Sequence, residues 1–341
     1  MTRTVLASHW LVVARSEELG RTPLARTVLG TPVVLGRAPE PFALIDRCPH
    51  RGVPLSRGRL RAGQLECAYH GWRFDRDGVC RGAPGVDGIC PSASVERFAL
   101  REHAGMLWIH LSKDKVPSFA PPAPLGRGTR RFHLAHELRG HLGDAIENLL
   151  DGTHTPFVHA GLLRSVNVQQ RFIGKLSVRS APNPPSTGAR SYDVAEVRYD
   201  GEEGQAGLVS RLFEGQRSHS IGRYVPPATA ELEYHSPRGL ELGLRSHFTP
   251  TEDGLLRVHS EVHLRTGRLP ARLKWLAFRP VLELLAAQDR RIVEAQAANH
   301  ERFPNARYTY WTADLLRPHI DHWLEHGAFA TDAQRTVEFH L

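Results

Sequence analysis

Two short runs, Cys48-Pro49-His50-Arg51-Gly52 and Cys67-Ala68-Tyr69-His70-Gly71-Trp72, constrain this chain more than any other feature. Sixteen residues separate His50 from Cys67, so four metal-ligating side chains stand in two tight loops, spaced Cys-x-His and Cys-x-x-His. Two metal groups suit that set. A zinc ion takes two cysteines and two histidines tetrahedrally. A 2Fe-2S cluster can instead place two cysteines on one iron and two histidines on the other. Zinc fingers usually pair Cys with Cys and His with His, whereas each loop here carries one of each, which favours the cluster.

On these two runs the chain resembles the Rieske family, whose cluster loops read Cys-Pro-His-Arg-Gly and Cys-x-Tyr-His-Gly-Trp. The resemblance extends over the neighbouring strands, from about residue 8 to residue 112, and ends in Gly105-Met106-Leu107-Trp108-Ile109. Within it, Pro32-Val33-Val34-Leu35 and Phe42-Ala43-Leu44-Ile45 flank a turn at Gly36 to Pro41 and predict a hairpin. The resemblance implies that Cys48, His50, Cys67 and His70 hold one 2Fe-2S cluster per subunit. Cys80 and Cys90 have no ligand-spaced partner and read as small buried hydrophobes. A disulfide between them is disfavoured in a reducing cytosol.

The 341 residues suffice for about two domains. A composition that is 41% hydrophobic and 23% charged is that of an ordinary globular protein. No run approaches the roughly 18 to 20 apolar residues of a membrane span. His9 and Trp10 interrupt the apolar start, so a signal peptide is not expected and the location is read as cytoplasmic, without a membrane partner. The formal charge of +8 would suit nucleic acid, but the arginines are scattered rather than gathered with aromatics. A basic surface can instead steer an acidic protein partner.

The run Pro117-Ser118-Phe119-Ala120-Pro121-Pro122-Ala123-Pro124, followed by Gly126 and Gly128, cannot carry regular structure. It divides the chain into a domain at 1–115, a connector at 116–131 and a domain at 132–341. His136 and His141 are five apart in a strand-like stretch. A zinc-protease helix needs them four apart, so they read as structural.

A helix from about Gly143 then leads into Glu147-Asn148-Leu149-Leu150-Asp151-Gly152-Thr153-His154-Thr155-Pro156-Phe157-Val158-His159. At 100° per residue, Asp144, Glu147, Asn148, Asp151 and His154 share a polar stripe, whose ordinary fate is a solvated face. On an ideal helix His154 and His159 would lie about 140° apart, so they can meet on one ion only if the helix ends or distorts between them. Gly152 and Pro156 permit that.

Residues 171 to 264 alternate like strands, at 171–181, 191–199, 206–213, 218–226 and 229–235, with a hairpin from Gly239 to Leu264 turning at Thr251 to Gly254. The pattern suggests an antiparallel sheet with one covered face. His247, His259 and His263 lack ligand spacing and read as structural or surface residues. A last long helix, about 270 to 302, places Asp289 within an apolar face that includes Leu282, Leu285, Ala286, Ile292 and Val293. A carboxylate there needs a partner: a cation, a set of donors or a metal. Two histidines with one carboxylate form the ligand set of non-haem iron oxygenases, which leaves coordination positions open.

Over nearly its whole length the chain resembles the terminal oxygenase (alpha) subunit of Rieske non-haem iron oxygenases. The implied fold is α+β: an N-terminal all-β Rieske domain, then a helix-grip (START-like) antiparallel sheet with helices. By that resemblance His154, His159 and Asp289 hold one Fe(II) per subunit, and Asp151 is the bridging acid rather than a ligand. In the family, electrons cross between neighbouring copies of a head-to-tail homotrimer, here from His70 of one copy through Asp151 of the next to His154. Asn148 either joins that site or caps the polar stripe. Tyr69 and Trp72 read as packing and interface residues.

The chain lacks a Gly-x-Gly-x-x-Gly nucleotide fingerprint, so electrons are expected from NAD(P)H through a separate reductase or ferredoxin. Compactness resembles the monooxygenase and demethylase branch, with a small organic molecule and O2 as substrates; aromatic cis-dihydroxylation is the nearest alternative. The alternatives from other classes are an electron carrier with a silent second domain and a zinc-containing binding protein.

Overall fold

The computed structural model describes residues 2–85, 92–112, 116–126, 128–163, 171–180, 193–200, 217–266 and 270–340. They form two compact units, one of residues 3–121 with 249–253 and the other of residues 1–2, 122–248 and 254–341.

After a short helix, α1 (Thr2–Ala7), the first unit is built from strands: β1 (Leu11–Arg15), β2 (Leu24–Val28), β3 (Thr31–Arg37), β4 (Pro41–Ile45), β5 (Arg59–Arg61), β6 (Gln64–Glu66), β7 (Arg73–Phe74), β8 (Cys80–Gly82), β9 (Arg97–His103) and β10 (Met106–His110). They make a six-stranded sheet in the order β1-β10-β9-β4-β3-β2 and a four-stranded sheet in the order β5-β6-β7-β8. The hairpin expected around Gly36 to Pro41 is β3 paired with β4 in the register Val33↔Ile45 to Arg37↔Pro41. Inward side chains of both sheets, among them Val34, Leu44, Leu65 and Phe74, pack with the thiols of Cys48 and Cys67 in one core. Gly78 is required there. Its φ is +80°, and a Cβ would stand 2.0 Å from the carbonyl oxygen of Val95, so any side chain would push the strands apart.

Cys80 is buried in the same core, as its apolar surroundings require. Cys90 lies outside the described residues.

The second unit holds β11 (Thr129–Arg139), α2 (Leu142–Leu150), α3 (Thr155–Val158), β12 (Arg171–Arg179), β13 (Val194–Asp200), β14 (His219–Val225), β15 (Thr229–Ser236), β16 (Gly239–Pro250), β17 (Leu255–Arg265), α4 (Ala271–Arg302), α5 (Arg317–His326) and β18 (Ala333–His340). The eight strands form one sheet in the order β11-β17-β16-β15-β14-β13-β12-β18. α4 lies against β11 and β17. Phe278 on that helix is 1% exposed within a cluster that includes Leu242, Val262 and Leu264, and Trp275 stacks on Phe132 at 4.7 Å. Truncating a side chain so buried costs about 3 to 5 kcal/mol, so the docking of α4 is a main source of this unit's stability.

β11 begins at Thr129, pairing with Arg265; beyond Gly128 no proline is left to deny the ladder its N–H groups. Two sequence expectations are corrected here. The sheet does not have a single covered face: seven consecutive residues of β17, from Val258 to Leu264, are buried. The second face is polar and held by ion pairs, with Arg245 bridging Glu231 at 2.7 Å and Glu261 at 3.5 Å. His247, His259 and His263 are buried, the structural one of the two roles expected of them. Burial holds the His247 imidazole down at about 3. Ile292, assigned to the apolar face of α4, is 49% exposed, because the buried stripe of the helix is narrower than the arc drawn about Asp289. The strand expected at 206–213 lies outside the described residues.

Candidate metal centres

In the first unit the two ligand-bearing loops are closed by backbone turns. Gly52 N donates to Cys48 O and Cys48 N to Val53 O, each at 2.9 Å; Gly71 N donates to Cys67 O at 3.1 Å and Cys67 N to Trp72 O at 2.8 Å. Both thiols are free of disulfides and buried. Burial raises the Cys48 thiol above its ordinary value, while the amides of His50 and Arg51 directed at its sulfur act the other way. The imidazoles of His50 and His70 have centroids 4.5 Å apart, and Trp72 lies flat on His50 at 4.7 Å with 5° between planes. Nδ1 of His50 is a buried atom with no hydrogen-bond partner among the described residues. Two adjoining thiols with amides aimed at sulfur, and two imidazoles held together beside them, suit a cluster with one iron on sulfur and one on nitrogen.

In the second unit the helix does end between the two histidines. Asp151 N makes the last helical bond, to Glu147 O at 2.7 Å, and Asp151 itself is extended, with φ −74° and ψ 115°. Its carboxylate then accepts from the amides of Thr153 at 2.7 Å and His154 at 3.2 Å, and Thr155 Oγ1 donates to Gly152 O at 3.0 Å. These bonds turn the chain into α3, whose first turn tolerates Pro156 because the missing N–H would be unpaired there anyway.

The turn brings Nε2 of His154 within 3.3 Å of Nε2 of His159. Asp289 Oδ1, from α4, stands 3.0 Å from His159 Nε2 and 3.5 Å from His154 Nε2. Donors about 2.0 to 2.2 Å from one ion are separated by distances of this order. The donor set fits a metal for a second reason. His159 Nδ1 donates to Gln288 Oε1 at 2.8 Å, which leaves its Nε2 with a lone pair facing the carboxylate. Asp289 Oδ1 is buried without a hydrogen-bond partner among the described residues. Lone pairs converging on a carboxylate oxygen need a cation between them.

Electrostatics point the same way. Burial opposes charge on His154, yet Asp151 and Asp289 outweigh it and push the imidazole up to about 9. Burial likewise opposes ionisation of Asp289 and Asp151; the histidines overcome it at Asp289, and His154 with Thr153 overcomes it at Asp151, so both carboxyls sit below their ordinary values. Asp151 Oδ2 is 3.5 Å from His154 Nδ1, on the side of the ring away from the convergence point.

The polar stripe of α2 is not a solvated face, contrary to the ordinary expectation for such a pattern. Asp144 is 3% exposed and meets Arg317 Nη1 at 2.7 Å; the same atom donates to Glu147 Oε2 at 2.6 Å. Burial pushes the Glu147 carboxyl up to about 7 in spite of Arg317. Tyr308 Oη adds a bond to Asp144 at 3.1 Å. Asn148, on this helix, lines a cavity of about 270 Å³ that also touches His154, His159 and Asp289. Leu149, Leu232, Leu244, Phe248 and Phe278 supply apolar wall, and His136 is among the polar lining residues. On its sheet side, the buried hydroxyls of Ser246 and Ser260 pair at 2.7 Å.

The three residues expected to converge do so. Gln288 and Arg317 were not foreseen as supporting residues. Gln288 stood next to the expected acid with nothing in its periodicity to single it out, and Arg317 lies 170 positions from Glu147 with no local signal linking them.

Residues 9–99 match the family model of the Rieske [2Fe-2S] domain, and residues 139–317 that of the vanillate O-demethylase oxygenase C-terminal domain. The dicamba O-demethylase oxygenase component of Stenotrophomonas maltophilia is 37% identical over 166 residues, covering 46% of this chain and 48% of that protein. The vanillate O-demethylase oxygenase subunit of a Pseudomonas species is 30% identical over 179 residues, covering 47% of each. The chain thus spans about half the length of the curated relatives it matches. Among solved structures, dicamba monooxygenase bound to dicamba superposes with a TM-score of 0.75 at 22% identity, covering 95% of this chain and 97% of the other. Pseudomonas putida CBB5 NdmA with caffeine gives 0.76 at 23%, covering 95% and 91%. These structural likenesses establish the fold.

Fold and site together define a Rieske oxygenase alpha subunit. The chain belongs to that family, in the branch that resembles the vanillate and dicamba demethylases. Its cofactors are a Rieske 2Fe-2S cluster and a mononuclear iron, the latter at His154, His159 and Asp289.

Proposed function

We propose that this chain is the oxygenase component of a monooxygenase or oxidative demethylase acting on a small organic molecule, with electrons from NAD(P)H delivered by a separate reductase or ferredoxin. The observation that carries this reading is the convergence of His154, His159 and Asp289 beside an apolar cavity. Cys48, His50, Cys67 and His70 are assigned to the cluster, in a domain that ends near 115, and the catalytic domain follows the proline-rich connector. When bound, the cluster supplies electrons one at a time and the ferrous ion supplies activation of dioxygen at its open positions.

The chain's own residues do the rest. Gln288 holds the Nδ1 proton of His159 and thereby keeps Nε2 available as a ligand. Asp151 orients His154 from behind, and in the proposed head-to-tail homotrimer it would also meet His70 of the next copy. The leucine and phenylalanine walls orient an apolar substrate and exclude water from the reacting carbon. Among the described residues no helix is long and apolar enough to cross a membrane. The location proposed for the protein is the cytoplasm.

The test is oxygen uptake and product mass across a panel of small aromatic ethers, N-methyl compounds and aromatic acids, run with a surrogate reductase. Substrate-dependent uptake with one oxygen atom incorporated, or loss of a methyl group, supports the proposal. Incorporation of both oxygen atoms as a cis-diol would replace it with ring dihydroxylation. Electron throughput unaffected by Asp289→Ala, without product from any substrate, would replace it with an electron carrier.

A further inference from the structure

We infer that His136, Ser246 and Ser260 are the specificity-determining floor of the catalytic cavity, where they select an apolar molecule that carries a neutral carbonyl oxygen. The inference deepens the proposed function and rests on it.

The three side chains rise from one face of the large sheet. His136 on β11 stands opposite Val258 on β17, and Leu134, on the same side two residues earlier, stands opposite Ser260. His136 and Ser260 are thus diagonal neighbours on adjacent antiparallel strands, roughly 7 to 8 Å apart, close enough for one oxygen atom to meet both side chains. Ser246, from β16, reaches Ser260 oxygen to oxygen at 2.7 Å. All three line the cavity that also touches His154, His159 and Asp289, and the wall beside them is Leu134, Leu244 and Val258.

This floor has donors to spare. Two hydroxyls carry two protons, and the bond between them uses one. Ser246 is 2% exposed and Ser260 4%, and neither makes a further hydrogen bond among the described residues. His136 makes none among them either. A buried proton donor without an acceptor is costly, and walls of leucine and valine supply none. A carbonyl oxygen has two lone pairs, so it can accept from the serine pair and from His136 together. The acceptor is uncharged because the floor is. Burial holds the His136 imidazole below its ordinary value, Arg290 adds to that and Asp289 opposes it. An ionised group that met only neutral donors would not recover its lost hydration. Arg217, whose guanidinium lies 3.8 Å over the ring of Tyr234, lines the same cavity from another quarter. It precedes β14, three strand spacings from β17, or about 14 Å.

The experiment reads binding rather than turnover, by titration calorimetry of the oxidised holoprotein without reductant. The probes are para-methoxyacetophenone, para-ethylanisole and para-methoxybenzoate, which share one methoxylated ring and differ in a ketone, an alkyl group and a carboxylate. The ketone should bind about tenfold or more tightly than the alkyl compound, because a site built to donate discriminates against a molecule with no acceptor. In Ser246→Ala/Ser260→Ala and in His136→Phe that ratio should fall at least about threefold, with the affinity for para-ethylanisole kept. The double serine variant removes both partners of a buried pair and leaves no orphaned hydroxyl, so it keeps the test decisive if His136→Phe folds poorly. Equal binding of ketone and alkyl compound to the wild type, or a ratio unchanged in the variants, would overturn the inference. So would tightest binding of the carboxylate, which would mark an anion site, and so would a loaded protein that binds none of the three. A preparation without cluster absorbance or bound iron would instead remove the functional reading on which the inference stands.

Discussion

The two metal centres are made in opposite ways. The proposed cluster ligands come from two loops close in sequence, each shaped by its own backbone turns, with thiols buried in the core of a small β unit. The iron ligands come from a helix break and from a distant helix: His159 and its hydrogen-bond partner Gln288 are 129 positions apart. A site of the first kind needs only its loops to be right. One of the second kind exists only while α4 is docked on the sheet, so its geometry depends on Phe278, Trp275 and the ion pairs around α2.

The sharpest way to break this contrast is to delete one ligand from each centre. Cys48→Ala should abolish the visible absorbance of the cluster, and Asp289→Ala should abolish bound mononuclear iron and product formation while the cluster spectrum persists. Metal analysis alongside the spectrum reads both. If either variant lost both centres, their independence would be refuted.

Next in size is Arg317→Met. It leaves Asp144, with 1% of its side chain exposed, buried without its cation, a change that costs about 3 to 5 kcal/mol. Urea unfolding of the catalytic unit should shift by that amount, with iron lost in the same transition and the cluster absorbance retained to higher denaturant. Coincident loss of both signals would show that the units unfold as one.

A smaller effect is expected of Gln288→Leu, which removes the acceptor for His159 Nδ1. Affinity for ferrous ion, measured by competition with a chromogenic chelator, should weaken about 10- to 100-fold with the cluster unchanged. Gln288→Glu, which restores an acceptor, should recover most of it. Unaltered affinity in the leucine variant would mean that the imidazole is positioned by packing alone.

The mildest contrast is in acid. The hydrogen bond from His263 and the charges of Arg245 and Arg131 outweigh the burial of Glu261 and hold it at about 2, and His235 with Arg223 does the same for Glu233. A carboxylate whose folded value lies below the ordinary 4.5 adds stability that is fully present above that pH and is lost as pH falls toward 2. Far-UV circular dichroism should therefore show the catalytic unit weakening through this window, and Glu261→Gln should flatten the dependence. An unchanged slope in that variant would exclude Glu261 as a contributor.

Much of this is legible in the sequence. The cluster loops are, because Cys/His spacing is local and turns are short-range. The helix break is, because two histidines five apart cannot share an ion on an unbroken helix. Asp289 is, because an acid among leucines demands a partner. Other features are not. Periodicity treated the stripe Asp144, Glu147, Asp151 as solvated, since nothing local announces that Arg317 comes from a later helix to neutralise it. The arc drawn about Asp289 admitted Ile292, since helical angle does not reveal how wide the facing sheet is.

Taken alone, the order of residues determined which atoms could bind metal, where turns and caps must fall, and that a buried acid required a counterpart, because those are consequences of spacing, backbone geometry and desolvation. Tertiary structure decided which counterpart Asp289 meets, which face of the sheet is charged, and which side chains wall the cavity. Those outcomes depend on how α4, α2 and α5 dock against one sheet, and docking energies are sums over contacts between residues more than a hundred positions apart.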